Sequence, residues 1–401
     1  MHVSHQNIFD RLDETKSDPA AMLDCVVSHL RQTKQPLELF EALKMQTRHA
    51  LGLNVLPHAN ESALREDLER QLEAGLLAAC REVGSLLMGD GRVGEGWMYL
   101  RPTGNTELAR QLTAQIPIDD DNYDQMIQVL LHEGVDVARG FAAVLERQGT
   151  CNSITLFEQS LAGRSKVDRQ AAAAKLLAHV HHELTTSVRR DILRREPPAP
   201  ESESLLQLID SRPWLLNEGG YHIDTTHLQS TVRIASVLDQ PQQWQAAWEL
   251  TQYGRRLHHQ LQYPGDEPFV DFYPAYATYY AILLGRDVAA GLKHFERKAR
   301  TVDPLQHGTA AIETYVDLLD RVGQQREAIA VALDLLPAEV PPQRIVPMLI
   351  EIALRAPTEP DSKSQPLGAR QEALQSIADY CRRRGDVLGA VAAFQATANH
   401  K

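Results

Sequence analysis

Residues 312–337, IETYVDLLDRVGQQREAIAVALDLLP, decide how this chain folds. Apolar side chains recur three and four residues apart on both sides of Gly323, the spacing of two amphipathic helices joined by a tight turn. A glycine takes the left-handed turn conformation at little cost, so Gly323 ends the first helix. Five residues on, Ala328 is small enough for the two helices to approach closely, and four further Ala332 faces the seam. The same plan recurs in LQSIADYCRRRGDVLGAVAAFQATA (374–398), with Gly385, Ala390 and Phe394, and in CREVGSLLMGDGRVGEGWMYLRP (80–102), with Gly91, Gly96 and Leu100. Gly285, Phe295 and the Asp303-Pro304 ending give a longer version. Val, Ile and Thr are dispersed and strand-type alternation never persists, so the expected fold class is all-α.

These units resemble the tetratricopeptide repeat, over about half the chain. The resemblance implies a helix-turn-helix repeat array, an α-solenoid in two halves, of the kind that serves as a binding scaffold. The competing architecture is a compact helical bundle carrying an enzyme site.

Outward from these units, the same periodicity predicts helices along the whole chain. Residues 8–50 read as two helices, with Asp18 capping ahead of Pro19 and Pro36 opening the second. Asn60 or Ser62 is expected to cap a long helix ending at Gly89, and the acidic run 119–121 to start another. The firmest helix is 167–195, with Ala173, Leu177, Val180, Leu184 and Val188 on its core face. EPPAPESES (196–204) interrupts the pattern with three prolines. The expected division is therefore an N-terminal helical domain (1–195), a proline-rich linker (196–212) and a C-terminal repeat domain (213–401). Trp244–Leu261 and Ala275–Leu284 are expected helices flanking an aromatic and acidic loop, YPGDEPFVDFYPAY.

A chain of 401 residues with a net charge of -12 carries no basic stripe for nucleic acid or an anionic membrane. No apolar run approaches the ~20 residues of a membrane span. The four cysteines are scattered singly, which points to a reducing compartment and a cytoplasmic protein. No P-loop, dinucleotide fingerprint or nucleophile elbow is present.

Chemistry concentrates in PWLLNEGGYHIDTTHLQS (213–230). His222, Asp224 and His227 form a competent donor set for a divalent transition metal such as zinc, with His179, Glu183 or His258 as a further ligand, and a metal-dependent hydrolase is one reading. The other reading makes Asp224 a helix cap and the histidines hydrogen-bonding side chains. HVHHE (179–183) places His179 and Glu183 one turn apart, with His182 pointing nearly opposite. Aromatic, Arg and His residues gather again in 253–280, as in a recognition pocket. The binding candidates are Trp214, Glu218, Tyr221, Arg255, His258, Tyr263, Phe272 and Tyr273; Tyr276, Tyr279 and Tyr280 read as helix core. The leading expectation is a scaffold recognising a protein segment or small ligand through this aromatic and His-rich central surface.

Overall fold

The structure, a computed structural model, describes residues 8–57, 64–337, 339–356 and 367–398. All regular structure among them is helical, and consecutive helices pack against each other in pairs. None of the described helices is long and apolar enough to cross a membrane. The expected cap at Asn60 or Ser62 and most of the polar gap at 356–368 lie outside the described residues.

The chain divides into two compact units, the first ending at Ala172 and the second beginning at Ala173. This division falls inside the helix Lys166–Ile192, whereas the sequence pointed to 196–212. That stretch contains a further helix, Leu205–Asp210, with Ser204 and Gln207 forming a capping box. The Arg189 guanidinium holds it by donating to the carbonyls of Ala199, Pro200, Glu201 and Glu203.

The first unit begins with three helices where two were expected: Ile8–Thr15, Pro19–Gln32 and Pro36–Ala50. Asp18 accepts from the amides of Ala20 and Ala21, as its position before Pro19 predicts. Helices Glu66–Gly89 and Val93–Leu100 cross where a Cβ on Gly84 or Gly96 would lie within 2.9 Å of the other's carbonyl oxygen. Val83, Leu87, Met88, Val93 and Leu100 are fully buried around that crossing, each contributing on the order of 2 kcal/mol.

In the second unit the helix-turn-helix plan recurs. Gly285, Gly323 and Gly385 all adopt positive φ at the turns. Ala328 and Ala332 are fully buried in the seam between Ala310–Arg321 and Gln325–Leu335, and Phe295 is buried on Val288–Thr301. Phe394 departs from the plan. It is 40% exposed on the helix Val387–Ala398, with Arg382 stacked over its ring, because Ala390 and Ala393 face inward instead.

Helix ends are joined by side chains from other helices. Arg321, only 13% exposed, donates to the carbonyls of Ser236 and Leu238 and pairs with Asp317 at 2.9 Å. The Tyr280 hydroxyl donates to the Val232 carbonyl at 2.6 Å. The last carbonyls of a helix have no partner within it, so a buried guanidinium or hydroxyl satisfies what water otherwise would. Arg321→Met is expected to lower the unfolding free energy by about 1–3 kcal/mol, since Leu238 then keeps only the Trp244 indole as donor while Ser236 and Asp317 share the single proton of the Tyr279 hydroxyl. Arg326→Met, at a side chain 69% exposed, should change it by less than about 0.5 kcal/mol. Urea unfolding followed by circular dichroism measures both; equal effects would remove the helix-end role.

Candidate binding site

Four elements of the second unit meet around His222. The long helix Lys166–Ile192 supplies His181 and Asp191, and the turn before Thr225–Ile234 supplies His222 itself. Pro241–Gly254 supplies Glu249 and Tyr253, one turn apart, and Phe272–Leu283 supplies Tyr273. The Gly219-Gly220 pair is what lets the turn form. Gly219 sits at φ 81, and a Cβ on Gly220 would lie 2.8 Å from the Leu215 carbonyl oxygen.

The His222 side chain is 7% exposed and used on both sides. Its backbone N–H donates to the Tyr253 hydroxyl at 2.8 Å, and Nδ1 lies 3.0 Å from the same oxygen. The Asp191 carboxylate facing Nε2 favours the tautomer with its proton there, in which the Tyr253 hydroxyl accepts from the amide and donates to Nδ1. Nε2 then carries the imidazole proton and points at Asp191 Oδ2, 3.4 Å away. Burial holds His222 below the ordinary histidine range, and the Asp191 carboxylate opposes that only in part. Burial likewise pushes the Tyr253 hydroxyl well up. The imidazole and the hydroxyl together form a clip fastening residues 219–224 to the end of Pro241–Gly254.

A second clip lies nearer the start of that helix. His181 Nε2 is 2.9 Å from Glu249 Oε2, and Gln245 donates to the other carboxylate oxygen. Arg286 in turn donates to Gln245 and stacks over Trp248 at 4.5 Å.

The expected metal set does not converge. Asp224 is the N-cap of Thr225–Ile234, accepting from the Thr226 hydroxyl and the amides of Thr226 and His227. The Thr226 hydroxyl, and then those amides, hold its carboxyl below the usual range. His227 is half-buried and meets Asp224 through its backbone. His179 and Glu183 pair at 3.7 Å on an exposed face, both 42% or more exposed. Among the described residues, no group of three or more His, Cys, Asp or Glu side chains could hold a metal ion.

The binding candidates separate into two kinds. Phe272 and Tyr273 are core: the helix begins at Phe272 rather than Ala275, and both rings are buried. The Tyr273 ring fills the space a Cβ on Gly254 would need, 2.3 Å away. The preceding helix stops at Gly254 and does not run on to Leu261. Tyr279 and Tyr280 are buried as expected, and burial pushes the half-buried Tyr276 hydroxyl up to about 12. Trp214 is half-buried, donating to Glu196 at 3.0 Å beneath Arg195. The Glu218 side chain lies outside the described part of the molecule.

Tyr221, Arg255, His258 and Tyr263 remain at the surface, with Tyr221 60% and Tyr263 47% exposed. Tyr221 adjoins the clipped His222, and the other three follow the end of Pro241–Gly254. Gln262 fixes their loop by donating to the carbonyls of Arg255 and Leu257, and His258 stacks on His259 at 4.2 Å. Sequence reasoning missed Asp191 and Glu249. The only available signal was a carboxylate at an otherwise apolar position of WELTQYG, which placed Glu249 against the core.

No protein-family model, curated protein or solved structure matches the chain.

Because His222 is held below its ordinary value of 6.5, the unfolded chain takes up its proton first as pH falls. The clip's contribution to stability is therefore complete above about pH 7 and declines as pH drops through 6.5 toward the depressed folded value. Thermal melts from pH 7.5 to 5 should show this slope reduced in His222→Phe. An unchanged slope in the variant would assign it to other groups.

Proposed function

We propose that this protein is a binding scaffold of the tetratricopeptide-like kind, working in a reducing, cytoplasmic setting. It holds a protein segment against Tyr221, Arg255, His258 and Tyr263. The observation that carries this reading is the pair of exposed tyrosines on loops fastened to one rigid helix end. Exposed aromatic and arginine side chains on a fixed support lose little conformational freedom on binding, which makes them effective anchors. The buried histidine and tyrosines support the surface without reaching it: His222 and Tyr253 fix the turn, and Phe272 and Tyr273 fix the helix beneath. Single unpaired cysteines at 25, 80, 151 and 381 accord with the reducing setting.

The test is selection of peptides from a displayed library on the full-length chain, followed by fluorescence anisotropy of the enriched sequences. Tyr221→Ala/Tyr263→Ala should weaken binding by about tenfold or more while leaving the melting temperature unchanged, because both rings lie outside the core. Failure to enrich any sequence, or equal affinity in the double variant, would reject this surface.

A further inference from the structure

The helix Val288–Thr301 carries a cation-rich face, only part of it met by carboxylates, on a chain of net charge -12. Its sequence, VAAGLKHFERKART, holds four Lys and Arg residues and one Glu. Most of the surface arginines that pair elsewhere in the second unit meet a carboxylate, as Arg326 meets Glu372 and Arg355 meets Asp320. Lys293 and Arg297, one turn apart and exposed, have no carboxylate partner among the described residues. Arg300, a further turn along, is held by Glu296 at 3.0 Å and Asp334 at 3.6 Å.

These cations border a shallow, open groove between side chains of this one helix, lined also by Ala290, His294 and Glu296. Ala290 leaves room where a longer side chain would fill it. His294 reports the field: burial, then Arg297 and Lys298, hold its imidazole below the ordinary range, with Asp271 opposing. The face is fixed in place. Gly291 seats the helix against Ile282, Phe295 packs into the core, and Lys298 donates to the Pro268 carbonyl.

We propose that this groove binds an acidic segment of a partner protein, with Lys293 and Arg297 each facing a carboxylate. The spacing fits an extended peptide. Four residues of helix rise about 6 Å, and alternate side chains of an extended chain stand about 6.6 Å apart. Two cations so placed meet two carboxylates two residues apart. A polynucleotide is the weaker fit, since it needs a longer track of cations and approaches a strongly acidic chain. The groove stands independently of the Tyr221 and Tyr263 surface, and either can fail without the other.

The probe is a short fluorescein-labelled peptide of alternating Glu and Ser, titrated with the full-length chain and read by anisotropy. Saturable binding is expected, weakening as salt rises, and reduced about tenfold or more by Lys293→Gln/Arg297→Gln. Ala290→Glu, which leaves both cations in place and puts a carboxylate beside them, should weaken it too. Arg326→Gln/Arg383→Gln, which removes two exposed cations elsewhere, should bind as the parent does. Circular dichroism confirms that each variant is folded. The proposal is overturned if the peptide does not bind or if the Lys293/Arg297 variant binds it equally well. It is also overturned if the Arg326/Arg383 control loses as much, or if an oligonucleotide of equal charge displaces the peptide more effectively.

Discussion

The terminal carbonyls of the helices are the constraint on which much of this structure depends. A protein made of many short helices multiplies helix ends, and each leaves carbonyl groups without an internal partner. In both units, side chains from other helices take them up. In the first, Arg139 donates to the carbonyls of Thr113 and Ile116, and Arg164 to those of Leu131 and His132. In the second, Arg321 closes the turn that follows Thr225–Ile234, and Arg370 and Arg384 do the same for later segments. Arginine suits the task because its planar fork of donors reaches two carbonyls at once and its charge favours the negative end of the helix dipole. Seam packing brings helices together without choosing an axial position; these bonds fix one.

The region around His222 applies the same logic to a turn. An unpaired amide in a buried loop is costly, and one tyrosine hydroxyl satisfies both it and the imidazole beside it. Chemistry and support are thereby separated within a few residues. His222 and Tyr253 lie inside, Tyr221 lies outside, and the ring that reaches solvent inherits the rigidity of the pair beneath.

Helical periodicity carried most of the fold into the sequence. The inner face of Lys166–Ile192 and the glycines at 285, 323 and 385 were legible because each follows from local geometry. The start of Phe272–Leu283 was not, because Pro274 and the aromatic run resemble a loop and only burial against Gly254 draws them into the helix. The histidine-rich segments misled for a related reason. Residue type identifies possible metal donors, but Asp224 is engaged by its own helix and His222 by Tyr253, a partner 31 residues away. The pairing of His181 with Glu249 spans 68 residues and leaves no local pattern. Phe394 matched the repeat position and still faces outward, since the small residues Ala390 and Ala393 occupy the seam.

The fit between Gly254 and Tyr273 has an evolutionary consequence. The aromatic ring stands where any side chain at 254 would begin, so 254 cannot gain a side chain without displacing the ring at 273. A larger residue at 254 is admissible only after 273 has become small, and a small residue at 273 leaves a void until 254 grows to fill it. Either order passes through an intermediate that is overpacked or hollow. The two sites are therefore sterically coupled, and a side chain can enter at 254 only together with a smaller one at 273.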